Sequence, residues 1–158
     1  MTGEEAAWIE AIRQRLAACT QAGDARRADA YAESFSPDGV LDLSEGGIGE
    51  IRGREAIRSW MKAPSVFAQE GGASPGFISH HLTTCAIDLT GPDSAAARTY
   101  WLVTSAAGLD HNGFYQDDFV RLGGEWLIAR RRPRTLWTSP ASALHSRAAQ
   151  EQASAALE

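Results

Sequence analysis

The sequence predicts an α+β protein in which a cone-shaped, curved antiparallel sheet wraps around about three N-terminal helices. Before residue 76, apolar residues recur mostly at helical spacing. Four runs rich in β-branched and aromatic residues then fill residues 76–132. Turn-forming clusters at 90–93, 108–113 and 123–124 separate these runs. Helices followed by a strand meander are typical of α+β proteins rather than of doubly wound sheets.

The length of 158 residues fits one domain of ordinary size. Hydrophobic residues make up 44% of the chain, which is enough for a core, and 22% of the residues are charged. The last segment is rich in Ala, Ser and Gln and has few large apolar side chains. We therefore expect a folded domain over residues 1–138 and a weakly packed tail or marginal helix over 139–158.

The charge pattern argues against nucleic acids and membranes as partners. The net charge is −5, and the basic run at 130–134 carries too few positive charges to neutralise the phosphates along a nucleic acid. No apolar run reaches the length of a membrane span, and no signal region follows the acidic N-terminus. Cys19 and Cys85 lack metal-ligand spacing and are typical of buried thiols in a reducing compartment. We therefore expect a cytoplasmic protein.

The first helix is predicted to begin at Thr2, because Glu5 follows it at capping-box spacing. Gly23 and Asp24 interrupt this helix. Its apolar face consists of residues at helical spacing, namely Trp8, Ile9, Ile12, Leu16 and Cys19.

Shorter elements are predicted between the first helix and the long strands. In order, these are a helix over 26–34, a turn over 36–39, short strands over 40–43 and 50–52, and a helix over 54–61. Pro64 ends the last of these helices. Residues 68–76 are rich in Gly, Ala, Ser and Pro and are predicted to form a loop over a cavity.

Two adjacent histidines open the first long strand, and strand alternation directs them to opposite faces. Only one of them can therefore enter a pocket beneath the helices. We favour His80 and keep His81 as the alternative. Strict alternation would place Leu82 and Thr84 with His80, and would place Thr83, Cys85 and Ile87 with His81. His111, in a predicted turn, and His145, in the tail, are expected to be exposed.

Five segments carry a resemblance to a known family: 35–41, 51–57, 80–84, 113–117 and 124–131. Their sequences and their order resemble those of the SnoaL-like group within the nuclear-transport-factor-2-like superfamily. The resemblance implies a cone of curved sheet around N-terminal helices. It also implies the activities of that group, which includes cofactor-free dehydratases, dehydrochlorinases, isomerases and cyclases. Because the fold hosts many chemistries, the function must be argued from the site.

The resemblance also implies an Asp–His dyad. The aspartate position falls on Asp24, and the histidine position falls on His80 or His81. The dehydratases of the group carry a tyrosine five residues before the aspartate, where this chain has Cys19. Three tyrosines are available to replace it: Tyr31, Tyr100 and Tyr115.

This dyad suits elimination or isomerisation next to a carbonyl group. Histidine accepts a proton near neutral pH, and a carboxylate on its far ring nitrogen holds one tautomer. Tyr115 or Tyr100 would donate to the oxygen that gains charge or leaves. Asp117 is either a second carboxylate of the pocket or a partner of Arg98 or Arg121. The residues predicted to line the substrate site are Tyr31, Trp60, Phe67, Tyr100, Trp101, Asp117 and Trp137.

We therefore predict a cofactor-independent lyase or isomerase for a small, mostly apolar cyclic substrate. The alternative is a non-catalytic protein or accessory domain that binds a small hydrophobic ligand. We expect no metal, because adjacent histidines on a strand cannot chelate one ion, and no nucleotide, because no phosphate-binding loop is present. The exposed back of the sheet predicts a homodimer or a higher homo-oligomer.

Overall fold

A computed structural model of the protein describes residues 1–64, 77–142 and 144–145. Three helices and two strands form its first half, in the order α1 (Gly3–Asp24), α2 (Ala28–Glu33), β1 (Phe35–Leu43), β2 (Gly49–Arg52) and α3 (Arg54–Lys62). Four long strands follow: β3 (Ile78–Gly91), β4 (Ser94–Ser105), β5 (Gly108–Leu122) and β6 (Glu125–Thr138). No helix in these parts of the chain is long and apolar enough to cross a membrane.

Some predictions concern residues outside those that the structure describes. They are Phe67, the loop predicted over 68–76 and most of the tail predicted over 139–158. At the start of that tail, Ser142 is buried and its hydroxyl donates to the Asp110 carboxylate at 2.6 Å.

The six strands form one open sheet in the order β2-β1-β6-β5-β4-β3. Neighbouring strands are antiparallel except β1 and β6, which are parallel, so the sheet is mixed. Register shifts interrupt four of the five strand pairings, and such bulges bend and twist strands. The α+β architecture expected from the sequence, with N-terminal helices and a curved sheet, is confirmed.

Both ends of α1 follow from its sequence. At its N-terminus, the Thr2 hydroxyl accepts from the Glu5 amide and the Glu5 carboxylate accepts from the Thr2 amide, so the predicted capping box is confirmed. At its C-terminus, the Arg27 amide donates to the Ala22 carbonyl, and the Arg26 amide donates to the Gly23 carbonyl. This is a Schellman motif, and it requires the left-handed backbone that Arg26 adopts at φ 54°.

The turns predicted over 36–39 and 108–113 were wrong, because these residues lie within strands. Residues 36–39 belong to β1, where the pairing with β6 jumps from Phe35–Ile128 to Val40–Arg130. Residues 108–113 belong to β5, since the hairpin turns already at 106–107. Turn-forming residues are tolerated in a strand at a β-bulge, where the regular pairing with the neighbouring strand is interrupted.

A bulge in β3 also makes the side chains that face the core differ from those predicted. The pairing with β4 shifts between Leu82 and Cys85, so one extra residue interrupts the alternation there. Leu82 and Cys85 therefore both pack against the core, with Ile87 and Leu89 following on the same side. The prediction that Cys85 shares a face with His81 was wrong, because strict alternation fails across a bulge.

The sheet packs its concave face against the helices. The larger apolar cluster includes Ile12 and Leu16 of α1, Ile57 of α3, and Phe119 and Ile128 of the sheet. A smaller cluster consists of Trp101, Val103 and Tyr115, with Ile78 and Leu82 packed against it.

Gly113 is required by the close packing of β4, β5 and β6. A Cβ atom at this position would lie 1.9 Å from the Arg134 carbonyl oxygen and 2.7 Å from Cζ2 of Trp101. Replacing Gly113 with Ala should therefore lower the free energy of unfolding by about 1–3 kcal/mol or more, as overpacking does. Urea unfolding measures the effect. Gly3→Ala is the control, because a Cβ there meets nothing within 4 Å; equal stability of the two variants would contradict the prediction.

Candidate active site

Asp24 lies in the last turn of α1, where its charge is poorly placed. The helix C-terminus carries partial negative charge, so a carboxylate there is unfavourable unless donors compensate. The Schellman motif ends the helix directly after Asp24 and turns the chain away. The Asp24 side chain, about 21% exposed, is left facing β3.

His80 supplies both compensating donors. Its backbone amide donates to Oδ2 of Asp24 at 2.8 Å, and its Nδ1 lies 2.6 Å from Oδ1. Because a carboxylate only accepts, Nδ1 carries the proton, and Nε2 is left as the basic nitrogen. The His80 side chain is about 24% exposed, so the ring is accessible. The contact that the predicted dyad requires is present; its catalytic role stays a prediction.

His81 lies on the other face of β3. It is exposed, and its Nε2 lies 3.3 Å from Oγ1 of Thr104. Of the two histidines left open by the sequence, His80 is therefore the one that meets Asp24.

Two aromatic rings lie beside His80. The ring centroids of Trp101 and His111 lie 6.2 Å and 6.4 Å from that of His80, in edge-to-face arrangements. The Trp101 ring also packs against two other rings, with its centroid 5.4 Å from that of His111 and 5.7 Å from that of Tyr115. The predicted pocket residue Trp101 thus lies beside His80, and Tyr115 lies beside Trp101.

His111 forms a second histidine–carboxylate pair. Its Nδ1 lies 2.7 Å from Oδ1 of Asp110, and both side chains are buried. Ser105 and Ser142 also donate to Asp110, which fixes this carboxylate. Burial lowers the pKa of His111 although Asp110 opposes the shift, so the ring is neutral near pH 7.

The prediction that His111 is exposed was wrong. The signal that could have found it is the alternation of His111, Gly113, Tyr115 and Asp117 at every second position of β5. Once the residues from 108 onward are recognised as strand, His111 and Tyr115 must share the concave face.

A buried ion pair lies beside Tyr115. Both oxygens of Asp117 accept from Arg131, at 2.9 Å and 2.8 Å, and the Arg131 guanidinium lies 4.1 Å from the centroid of the Tyr115 ring. Arg131 also donates to Sγ of Cys19 at 3.4 Å. Burial alone would lower the pKa of Arg131, but the charge of Asp117 raises it well above its usual value. The partner of Asp117 is therefore Arg131 rather than Arg98 or Arg121.

The remaining candidates are dispersed. Tyr100 points to the convex face, because it alternates with buried Trp101; it is 38% exposed and lies under Arg98. It cannot donate to a ligand held at His80. Trp137 is 45% exposed, near the end of β6. Tyr31 is buried with its ring 5.5 Å from Phe35, and Trp60 packs against the larger cluster.

No group of three or more potential metal ligands lies close together in the described parts of the chain.

Comparisons with known proteins identify relatives of this architecture. Residues 4–132 match the family model of the SnoaL-like domain. A protein of unknown function from Mycobacterium tuberculosis is 27% identical, with a TM-score of 0.67 over 86% of this chain and 77% of that chain. A protein from Catenulispora acidiphila, solved in complex with S-DNPA, is 28% identical, with a TM-score of 0.64 over 82% and 94%. A proposed scytalone dehydratase from Novosphingobium aromaticivorans is 22% identical, with a TM-score of 0.74 over 88% and 91%. No curated protein matches the chain significantly.

Proposed function

The chain belongs to the SnoaL-like domain family, and we propose that it is a cofactor-independent lyase or isomerase for a small, mostly apolar cyclic substrate. The observation that carries the proposal is the Asp24–His80 pair. A base held in one tautomer by a carboxylate, and accessible on its other ring nitrogen, is what proton abstraction next to a carbonyl requires. The aromatic surroundings of His80 favour a flat, apolar substrate.

In this mechanism, Nε2 of His80 takes a proton from the carbon next to the substrate carbonyl. Asp24 holds the ring and stabilises the imidazolium that forms. For a β-hydroxyketone, the imidazolium returns the proton to the departing hydroxyl, so that one C–H and one C–O bond break, a C=C bond forms and water leaves. For an isomerase, the proton returns to a different carbon atom.

Tyr115 is the best-placed tyrosine for the substrate oxygen, because its ring lies beside Trp101 on the concave face. Burial raises the pKa of Tyr115, so its hydroxyl stays protonated and can donate. The phenol therefore takes the donor role that the family's dehydratases give to the tyrosine replaced here by Cys19.

Hydrogen–deuterium exchange tests the proton abstraction without knowledge of the natural substrate. The probe is 2-tetralone in D2O buffer, followed by proton NMR, because lyase and isomerase both begin by removing such an acidic proton. We expect exchange above the buffer rate, unchanged by a chelator. A second probe, 3-hydroxy-1-tetralone, reports dehydration through the fluorescence of the 1-naphthol formed. Binding of cyclic ketones without either reaction would favour the alternative of a non-catalytic binding protein.

His111 should act as a positioning residue, because its ring packs edge-on against both His80 and Trp101. His111→Asn should lower exchange by about tenfold to a hundredfold, as a displacement near 1 Å does. The pH–rate profile should keep its shape, since His80 remains the base. A profile that loses its dependence on pH, or a rate equal to that of the unaltered protein, would contradict this role. Asp38→Asn, at an exposed position of β1, is the control.

A further inference from the structure

A groove between α1 and the edge strand β3 is distinct from the site at His80. Its volume is about 400 Å³, within the range of about 300–1,000 Å³ that is common for ligand pockets. Its walls are mostly apolar, with Leu16 and Ala17 from α1 and Leu82 and Cys85 from β3. Asp24 and His80 do not line it.

The bulge in β3 builds this groove. Because the register shifts between Leu82 and Cys85, both side chains face α1, although strict alternation would separate them. Thr99 of β4, which is 1% exposed, also lines the groove and donates to Sγ of Cys85 at 3.2 Å. Bulges are over-represented next to functional sites.

Arg13 gives the groove its charge. It is an exposed residue of α1 that lines the groove, and it makes no hydrogen bond or ion pair within the described ranges. The nearby Glu10 does not pair with Arg13; its Oε1 accepts a hydrogen bond from Nε2 of Gln14 at 3.0 Å. Among the residues that the structure describes, no acidic side chain lines the groove, so the one formal charge that they bring to it is positive.

We propose that this groove is a second binding site, for a small aromatic or aliphatic carboxylate. The carboxylate would pair with Arg13, whose planar guanidinium suits bidentate contact, and the apolar body would lie against Leu16, Ala17 and Leu82. The proposal does not depend on the catalytic role of His80.

Protection of Cys85 from alkylation tests the site. Cys85 is partly exposed and lines the groove, whereas Cys19 is 0% exposed, so iodoacetamide should modify Cys85 selectively. Mass spectrometry of the Cys85 peptide then gives the rate at increasing concentrations of 1-naphthoate. We expect saturable protection. The neutral analogue 1-naphthalenemethanol should protect only at higher concentration.

Three variants define where the probe binds. Arg13→Gln should raise the half-protecting concentration of 1-naphthoate by about twofold to fivefold, as for loss of one exposed ion pair, and leave that of the neutral analogue unchanged. Ala17→Phe, which fills the groove, should abolish protection by both. His80→Asn should change neither. Absence of protection in the original protein, an unchanged response in Arg13→Gln or Ala17→Phe, or loss of protection in His80→Asn would overturn the proposal.

Discussion

Replacing His80 with Asn should lower the exchange and dehydration rates by about a hundredfold to ten-thousandfold, the usual effect of losing a general base. The reason is that Nε2 of His80 is the basic nitrogen left by the hydrogen bond between Nδ1 and Asp24. Initial rates with 2-tetralone and 3-hydroxy-1-tetralone measure the loss. Binding of either ketone should persist within a small factor, because the rings of Trp101 and Tyr115 remain.

His81→Asn is the matched control for this experiment. His81 is the adjacent histidine, on the same strand, but it is exposed and faces away from Asp24. It should keep nearly full activity. Equal losses in the two variants, or full activity of His80→Asn, would refute the dyad.

Asp24→Asn extends the same test to the orienting carboxylate. Both oxygens of Asp24 accept hydrogen bonds from His80, so the amide group of Asn must turn its NH2 toward one of these donors. The His80 ring then loses its fixed tautomer, and the rate should fall in the same direction as in His80→Asn. A rate unaffected by Asp24→Asn would mean that His80 acts without an orienting partner.

Replacing Asp117 with Ala should produce the largest loss of stability, about 3–5 kcal/mol, as when one partner of a buried ion pair is removed. Asp117 and Arg131 are 1% and 2% exposed, and two hydrogen bonds join them. Without Asp117, the guanidinium would stay buried with its charge uncompensated. The free energy of unfolding in urea, extrapolated to water, measures the effect.

The neighbouring pair provides the control. Asp118 and Arg132 come from the same two strands and lie 2.7 Å apart, but their side chains are 48% and 26% exposed. Asp118→Ala should therefore cost less than about 1 kcal/mol. The double replacement of Asp117 by Leu and Arg131 by Met should recover much of the loss, because no buried charge remains. Equal losses at Asp117 and Asp118 would contradict this account.

The elements with strong local signals were predictable from the sequence. The capping box at Thr2 depends on residues three apart, and the long strands depend on β-branched and aromatic runs. Errors arose where a partner strand decides the outcome. Residues 108–113 have turn-forming composition, yet β4 and β6 pair with them and keep them extended.

The candidate site was predictable only in part. The sequence predicts Asp24, His80, Trp101 and Tyr115 as site residues, and they lie in one region of the fold. His111 was missed because its partner network joins Asp110 to Ser105 and to Ser142, which is 32 residues away along the chain. The prediction that Tyr100 lines the site was wrong, because which of the adjacent residues Tyr100 and Trp101 points inward depends on the face that β4 buries.

By itself, the sequence determined the fold class and the candidate dyad, since helical spacing, strand alternation and family-like segments are properties of short stretches of chain. Only the tertiary structure decided which histidine meets Asp24, which carboxylate neutralises Arg131 and which side chains turn inward across the bulge in β3. These outcomes depend on the register between strands and on where α1 ends against β3. A shift of one residue in register exchanges the two faces of a strand, so composition and spacing alone could not determine them.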